Sequence, residues 1–194
     1  MNSPSNPHYG LEPAPWIVRF APLVPRAARV LDVAAGYGRH ARFFARRGSH
    51  VLAVDRDATA LATLQGEPRI ETRVIDLEQG AWPFVGAKFD AIVVVHYLHR
   101  ALFAQLMAAL ADDGVLLYET FARGNAAYGR PSNPAFLLEA GELLALARET
   151  LTVVAFEQGR VDGEHPAVLQ RLAAVGPKRP WPPLLPEQAD AHAS

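Results

Sequence analysis

Two glycines follow a short apolar segment near the start of the chain, in a pattern suited to binding a ligand. Residues Arg29 to Ala41 read R-V-L-D-V-A-A-G-Y-G-R-H-A. The apolar run predicts a strand, the glycines a tight turn and the following residues a helix. Glycine lets a ligand contact bare backbone, and the first amides of a helix are donors without an intrahelical partner. We therefore expect Gly36 and Gly38 to bind a carboxylate or a phosphate.

An acid at the end of the next predicted strand indicates that the ligand contains a ribose. This strand reads H-V-L-A-V-D and ends at Asp55, about 20 residues after the turn, the spacing of a carboxylate that accepts from ribose hydroxyls. Gly36, Gly38 and Ala41 also satisfy the dinucleotide pattern G-x-G-x-x-G/A. Asp32 favours a different ligand, because a carboxylate at the end of the first strand repels a pyrophosphate and attracts a cationic amino group.

The segment D-V-A-A-G-Y-G resembles motif I of the class I S-adenosylmethionine-dependent methyltransferases, an acid followed by alternating glycines. It departs from that pattern at Ala34, where the family has glycine. The G-x-G-R turn ending at Arg39 is similar to that of the small single-domain bacterial methyltransferases of the tellurite-resistance type. The resemblance covers roughly residues 15 to 176 and implies the cofactor S-adenosyl-L-methionine. The residues expected to bind it are Asp32, Ala34, Gly36, Gly38, Arg39, Asp55, Arg56, Asp76, Leu77 and His96.

Asp76 follows the third predicted strand and has two interpretations. In the family that the chain resembles, an acid at this place holds the adenine amino group. Alternatively, Asp76 accepts hydrogen bonds from the backbone of its own loop, as aspartates in turns commonly do.

His96 ends a fourth predicted strand, F-D-A-I-V-V-V-H-Y, whose unbroken apolar run is typical of a central parallel strand. An imidazole changes its charge near neutral pH, so His96 is the candidate catalytic base. The alternative is that it only lines the cofactor site. His96 and His99 could form part of a metal site, but no third ligand of matching spacing is visible, and we expect no metal.

The long connection from residue 122 to residue 134 is the candidate substrate loop. It contains Arg123, Tyr128, Arg130 and Asn133, and connections of this length in small domains are usually functional or disordered. The arginines could clamp an acidic substrate through two hydrogen bonds each. They could equally be solvated charges on a loop.

Alternating strands and helices predict an α/β fold with a Rossmann-like, doubly wound and mostly parallel seven-stranded sheet. The predicted helices include residues 100–111 and 139–149, and the fifth strand spans residues 114–121. The last two predicted strands, residues 151–156 and 167–175, are too close together for a helical crossover. They therefore predict a C-terminal antiparallel hairpin.

The chain has 194 residues, half of them apolar, which suits one domain with a substantial core. We expect a cofactor-binding domain at residues 15–176. Residues 1–14 are expected to be loosely ordered, and whether Tyr9 closes over the cofactor stays open. The proline-rich tail, residues 177–194, is expected to be flexible.

Composition limits the partners. The net charge is −1, and the chain has no run of basic residues interleaved with aromatic residues, so we do not expect nucleic-acid binding. The chain has no cysteine, which excludes disulfides and cysteine-based metal or nucleophile sites. No apolar stretch approaches membrane-spanning length, and the first residues do not resemble a signal peptide, so we expect a cytoplasmic protein. The sequence does not indicate an oligomeric state.

Together these features predict an enzyme that transfers a methyl group from S-adenosyl-L-methionine to a small, polar or anionic acceptor. Two alternatives remain open at this stage. The first is an NAD-dependent oxidoreductase that uses Gly36, Gly38, Ala41 and Asp55. The second is a protein that binds S-adenosylmethionine without catalysing a reaction.

Overall fold

Apolar runs of the chain form a single sheet of seven strands in the order β3-β2-β1-β4-β5-β7-β6. The computed structural model describes residues 12–183 and 185–186. The strands are β1 (Arg29–Val33), β2 (His50–Asp55), β3 (Ile70–Val74), β4 (Phe89–Val95), β5 (Leu110–Phe121), β6 (Thr152–Val161) and β7 (Ala167–Val175).

The first five strands run parallel, and β7 runs in the opposite direction. β1 pairs with β2 and β4, β2 with β3, and β4 with β5, all in parallel. β7 lies antiparallel between β5 and β6. The predicted doubly wound sheet and its C-terminal antiparallel hairpin are both confirmed.

Helices cover both faces of the sheet. They are α1 (Pro15–Phe20), α2 (Arg39–Arg46), α3 (Ala58–Ala62), α4 (Phe103–Ala109) and α5 (Glu142–Arg148). One apolar cluster contains residues of α1, α2 and α3, and a second contains residues of α4 and α5. Successive β4 residues join opposite clusters, with Val93 in the first and Ile92 and Val94 in the second. This arrangement confirms β4 as a central strand covered on both faces.

Two helix ends follow from local sequence signals. Asp57 precedes α3, and its carboxylate accepts hydrogen bonds from the amides of Thr59 and Ala60 at 2.9 and 3.1 Å. Pro22 follows α1, and residues Ala21–Leu23 form a 3₁₀ turn in place of a further α-helical turn, because proline lacks the amide hydrogen that a helix needs.

The start of β5 differs from the prediction. We expected a helix through Ala111 and a strand from Gly114, but the helix ends at Ala109 and the strand begins at Leu110. Leu110 pairs with Phe89 before an irregularity in the register. The Lys88 ammonium group binds the carbonyl of Leu110 at 3.0 Å. Contacts with Lys88 and with Phe89 of β4 therefore stabilise this segment as part of the sheet.

Two further boundaries also differ. α5 begins at Glu142, three residues later than predicted, and Gly141 before it has a positive φ of 71°. β6 continues to Val161 because Val161 pairs with Ala167 across the hairpin. The turn between β6 and β7 is therefore shorter than the sequence suggested.

The predictions for both ends of the chain lie largely outside the described residues. This holds for Tyr9, for residues 1–11 of the N-terminal segment and for residues 184 and 187–194 of the tail. In the part of the chain that is described, no helix is long and apolar enough to cross a membrane.

The central position of β4 predicts a difference between two identical substitutions. Val93 on β4 is fully buried, whereas Val74 on the edge strand β3 is 56% exposed. Val93→Ala removes buried apolar surface and leaves a cavity, so we expect it to lower the free energy of unfolding by about 2 kcal/mol. Val74→Ala should lower it by less than about 0.5 kcal/mol. Equal denaturation midpoints for the two variants would contradict this assignment of the core.

Candidate active site

A cleft of about 2010 Å³ opens across the carboxyl ends of the parallel strands. Its walls come from the turn after β1, the ends of β2 and β4, the loop after β3 and the loop after β5. Most of the residues predicted to form the cofactor site line it, namely Ala34, Gly36, Arg39, Asp55, Arg56, Asp76, Leu77 and His96. Asp32 and Gly38 are not among its lining residues.

The Asp55 carboxylate holds the glycine turn against β2. Its Oδ2 atom accepts a hydrogen bond from the Gly36 amide at 2.8 Å, and its Oδ1 atom accepts one from the Asp57 amide at 2.9 Å. Gly38 has a φ of 74°, and a Cβ atom there would clash with the side chain of Leu64. Both the left-handed backbone and the close approach therefore require glycine at this position.

Two residues other than glycine have left-handed backbone at the edge of the cleft. Ala34 has a φ of 54° and His96 a φ of 58°. An L-residue in this region costs about 1–2 kcal/mol, and such strain is found mostly at functional sites. Ala34 is also the position at which the family pattern has glycine, so the geometry of the turn explains why that pattern prefers glycine there.

Asp32 is a buried carboxyl group, only 1% exposed, at the end of β1. Burial raises its pKa to about 7, although a backbone hydrogen bond from Ala41 and the charge of Arg39 oppose the rise. Within the described residues, its Oδ2 atom has no hydrogen-bond partner. A buried oxygen of this kind is costly unless a donor reaches it, so the site favours a ligand that carries a donor.

Asp76 and Leu77 lie in the loop after β3, beside the end of β2, and both line the cleft. The Asp76 Oδ1 atom accepts from the amide of Glu78 at 3.0 Å. This is the backbone contact of the alternative interpretation. A carboxylate has further acceptor sites, so this bond leaves Asp76 able to bind a ligand as well.

His96 lies at the end of β4, and three contacts with β5 orient it. Its amide donates to the carbonyl of Glu119 at 2.8 Å, and its Nε2 atom lies 3.5 Å from the Glu119 carboxylate. Its ring lies 4.7 Å from the ring of Phe121, centre to centre. In the described part of the chain, no group of three or more histidines and acids could hold a metal ion.

Glu119 is 3% exposed, and its sequence position at the end of the fifth strand had given it no assigned role. Burial alone would raise the pKa of its carboxyl group. The hydrogen bond from His96 and the charge of Arg171, whose Nε lies 2.7 Å away, outweigh burial and lower the pKa below its ordinary value. Arg171 is the one charged residue in the apolar strand A-V-L-Q-R-L-A-A-V, and that isolation was the available signal in the sequence.

His40 is a second residue that the sequence analysis missed. It lines the cleft from α2, and its Nε2 atom accepts from the Ala14 amide at 3.1 Å. Burial and the nearby charges of Arg39 and His96 lower the pKa of His40 well below its ordinary value. His40 is therefore neutral and connects the segment before α1 to the edge of the cleft. No sequence pattern links these two positions.

The predicted substrate residues divide into two groups. Arg130 and Asn133 line the cleft, whereas Arg123 and Tyr128 are not among its lining residues. Arg123 forms an ion pair with Glu139 at 2.7 Å. The Tyr128 hydroxyl accepts a hydrogen bond from Arg160 at 3.4 Å.

Asn125 holds the base of this loop in place. It is 2% exposed, its Nδ2 atom donates to the carbonyl of Pro131 at 3.1 Å, and its Oδ1 atom accepts from the amide of Val168 at 3.1 Å. The segment that contains Arg130 is therefore fixed to β7, and the cleft wall on this side is preformed.

The charges of the cleft are separated. The acids Asp55, Asp57, Asp76 and Glu78 follow β2 and β3, with Arg56 as the one base among them, whereas the other arginines, Arg39, Arg42, Arg46 and Arg130, lie on α2 and on the loop after β5. A ligand with hydroxyl or amino donors fits the acidic side, and an anion fits the basic side. His96 follows β4, the strand between these two regions of the sheet.

Residues 30–114 match the methyltransferase domain family. No curated protein matches the chain by sequence. Many solved structures share its fold. TehB from Haemophilus influenzae is 16% identical, with a TM-score of 0.68 over 82% of this chain and 61% of that one. The chain therefore spans about three fifths of the length of that relative.

Two further structures match at similar levels. A TehB-like SAM-dependent methyltransferase from Corynebacterium glutamicum is 20% identical, with a TM-score of 0.62 over 83% of this chain and 86% of that one. The second is the 1,6-didemethyltoxoflavin-N1-methyltransferase of Burkholderia thailandensis, solved with 1,6-didemethyltoxoflavin and S-adenosylhomocysteine bound. It is 24% identical, with a TM-score of 0.61 over 83% of this chain and 76% of that one. These likenesses show a common fold.

The raised pKa of Asp32 predicts a pH dependence of stability. In the folded chain this carboxyl has a pKa of about 7, against 3.8 as the ordinary value. The folded state therefore binds the proton on Asp32 more tightly than the unfolded state does. The resulting stabilisation is complete below pH 4 and is lost as the pH rises to about 7. Relative to Asp32→Asn, the wild type should lose stability on the order of 4 kcal/mol across this range.

The measurement is chemical denaturation of both proteins, without ligand, between pH 4 and pH 8. Other titrating groups are common to both proteins and cancel in the difference. If the difference in free energy of unfolding between the two proteins does not change with pH, the pKa of Asp32 is not raised in the folded state.

Proposed function

We propose that this chain, a methyltransferase by its domain and its fold, transfers a methyl group from S-adenosylmethionine to a small, polar or anionic acceptor. The observation that carries the proposal is that the glycine turn and the carboxylates of Asp55 and Asp76 line one cleft. When bound, the cofactor supplies an electrophilic methyl group on a positively charged sulfur. The chain has to hold it, orient the acceptor, exclude water and accept any proton that is released.

The acidic side of the cleft suits the adenosine part of the cofactor. Asp55 keeps acceptor capacity beyond its two backbone hydrogen bonds, and ribose hydroxyls are suitable donors. Asp76 and Leu77 lie beside it and would contact the adenine. Arg56 completes this wall.

The amino-acid part of the cofactor fits the region around Asp32. The buried Oδ2 atom of Asp32, which has no partner among the described residues, would be satisfied by a cationic amino group, directly or through water. Arg39 lines the cleft nearby and could pair with the carboxylate. Ala34, Gly36 and Gly38 supply the backbone of this part of the site.

The basic side of the cleft suits the acceptor. Support for this assignment comes from Arg130 and Asn133, which line the cleft on a loop that Asn125 fixes in place. An arginine on a fixed backbone segment loses less conformational entropy when it binds an anionic or polar group than one on a mobile segment. Arg123 and Tyr128 would act on the acceptor only indirectly, because each contacts another side chain of the protein.

His96 is the proposed catalytic base. It lines the cleft at the end of β4, the strand between the two regions. If the acceptor atom carries a proton, methylation makes that proton acidic, and an imidazole within hydrogen-bond distance can remove it. No covalent intermediate with the protein is needed.

The cofactor assignment predicts the result of a binding experiment. Isothermal titration should give tighter binding for S-adenosylmethionine and S-adenosylhomocysteine than for NAD. Asp55→Ala should weaken this binding at least about 100-fold, since two hydrogen bonds to a charged acceptor are worth about 1.5–3 kcal/mol each. Glu71→Ala, an exposed acid on β3 that pairs with Arg73, is the matched control and should bind normally.

Because Asp55 also holds the glycine turn, the melting temperature of each variant without ligand should be recorded. Unchanged affinity in Asp55→Ala would exclude the ribose assignment. Tighter binding of NAD would favour an oxidoreductase. Cofactor binding without formation of S-adenosylhomocysteine, across small acids, amines and phenols, would favour a protein that binds the cofactor without catalysis.

The acceptor assignment predicts that two arginines of one loop differ. Arg130→Ala should raise the KM for the acceptor about tenfold or more, the loss of one charged hydrogen bond, and leave cofactor affinity nearly unchanged. Arg123→Ala, the control on the same loop, should have a smaller effect because Arg123 pairs with Glu139. A loss of cofactor affinity as large as the loss of turnover in Arg130→Ala would refute the assignment.

A further inference from the structure

A row of alternating charges crosses the sheet behind His96. Glu119 on β5 is directly opposite Arg171 on β7, which is directly opposite Glu157 on β6. Directly paired residues on neighbouring strands project from the same face of a sheet. The Arg171 Nε atom lies 2.7 Å from Glu119, and a terminal nitrogen lies 3.4 Å from Glu157. We call Glu119, Arg171 and Glu157 the charged row.

One end of the charged row is buried beside His96, and the other is at the surface. Glu119 is 3% exposed and lies 3.5 Å from the Nε2 atom of His96. Glu157 is exposed and pairs with Arg19 of α1 at 3.1 Å. Arg19 in turn lies over the rings of Trp16 and Phe20. The row therefore links the candidate base to a helix outside the sheet.

We propose that Glu119 is a positioning residue for His96: its carboxylate accepts the hydrogen on Nε2 and so makes Nδ1 the atom that takes a proton from the acceptor. This inference rests on the proposed function, in which His96 acts as the base. Arg171 holds Glu119 in place from the opposite side and keeps it ionised.

Methyl transfer and proton transfer involve the same acceptor atom. The acceptor atom forms a bond to the methyl carbon, and the carbon–sulfur bond breaks with its electron pair left on sulfur. The proton of the acceptor atom moves to Nδ1 of His96, while the proton on Nε2 stays in its hydrogen bond to Glu119. The ring becomes an imidazolium beside a carboxylate, which stabilises the added charge.

The surroundings of His96 fit this role. Glu119 lies against its Nε2 atom, and His40 on α2 is close enough for the charge of His96 to lower the pKa of His40. His40 is neutral, so it adds no charge. Glu119 is a charged group in contact with the ring and is itself paired with Arg171.

Backbone geometry also favours a fixed ring. His96 has a positive φ of 58°, its amide is bound to the Glu119 carbonyl, and its ring packs on Phe121 at 4.7 Å. A strained backbone persists only where its surroundings hold it. At His96 the contacts with Glu119 and Phe121 hold both the backbone and the ring.

The first test uses the wild-type protein and no substrate. Nitrogen-15 NMR of the imidazole rings, with His96→Gln to assign the signal, reports which ring nitrogen carries the proton. We expect neutral His96 to have its proton on Nε2. A proton on Nδ1 would overturn the proposal. This result does not depend on turnover, so it is separate from any failure of the proposed function.

The second test compares two variants with the same chemical change, Glu119→Gln and Glu157→Gln. Replacing the Glu119 carboxylate by an amide should reduce the share of neutral His96 rings that carry the proton on Nε2, measured by nitrogen-15 NMR. Glu157→Gln, two strands further from His96, should change this share much less. Equal effects would show that the charged row acts only as a general negative potential, and the proposal would be wrong.

Kinetics supply a readout that a purely structural role would not change. A base must be unprotonated to act, so kcat rises with pH through its pKa. In Glu119→Gln the plateau of kcat above this rise should fall while KM for the cofactor is unchanged. Should Glu119→Gln fail to fold, the protonation state of wild-type His96 decides the question alone.

Discussion

The bond between the Asp55 carboxylate and the Gly36 amide is the contact on which the cleft depends. It joins the end of β2 to the turn that follows β1, and a second bond to the Asp57 amide leads directly into the cap of α3. One side chain therefore fixes two strand-to-helix connections relative to each other. Loss of this contact would release the turn before it affected the hydrophobic core, because both strands remain paired in the sheet.

Features that depend on neighbours in sequence were predictable. The apolar run around Val93 identified the central strand, and the spacing between Gly36 and Asp55 identified two adjacent strand ends. The short separation of residues 151–156 and 167–175 left an antiparallel hairpin as the only connection. In each case a local rule of backbone geometry or chain length allows few alternatives.

Features that depend on pairing between distant residues were not predictable. The extension of β5 to Leu110 follows from the contact with Lys88. The ion pair of Glu119 with Arg171 requires the register of β5 and β7, and the bond from Ala14 to His40 requires the position of α1 over the cleft. A single sequence carries periodicity but not register, because a shift between two apolar strands leaves each pattern unchanged.

The two buried carboxyl groups at this edge of the sheet differ in charge for a definable reason. Glu119 has Arg171 and His96 against it and stays ionised, whereas burial raises the pKa of Asp32 to about 7. The charge of Arg39 lowers the pKa of Asp32 but does not cancel the effect of burial, and burial lowers the pKa of Arg39 itself. A cation that binds beside Asp32 would therefore shift it to the ionised form and release a proton. Glu119 already has two positive or hydrogen-bonding partners and would stay ionised, so under the proposed function the two carboxyl groups would differ in charge until the cofactor binds.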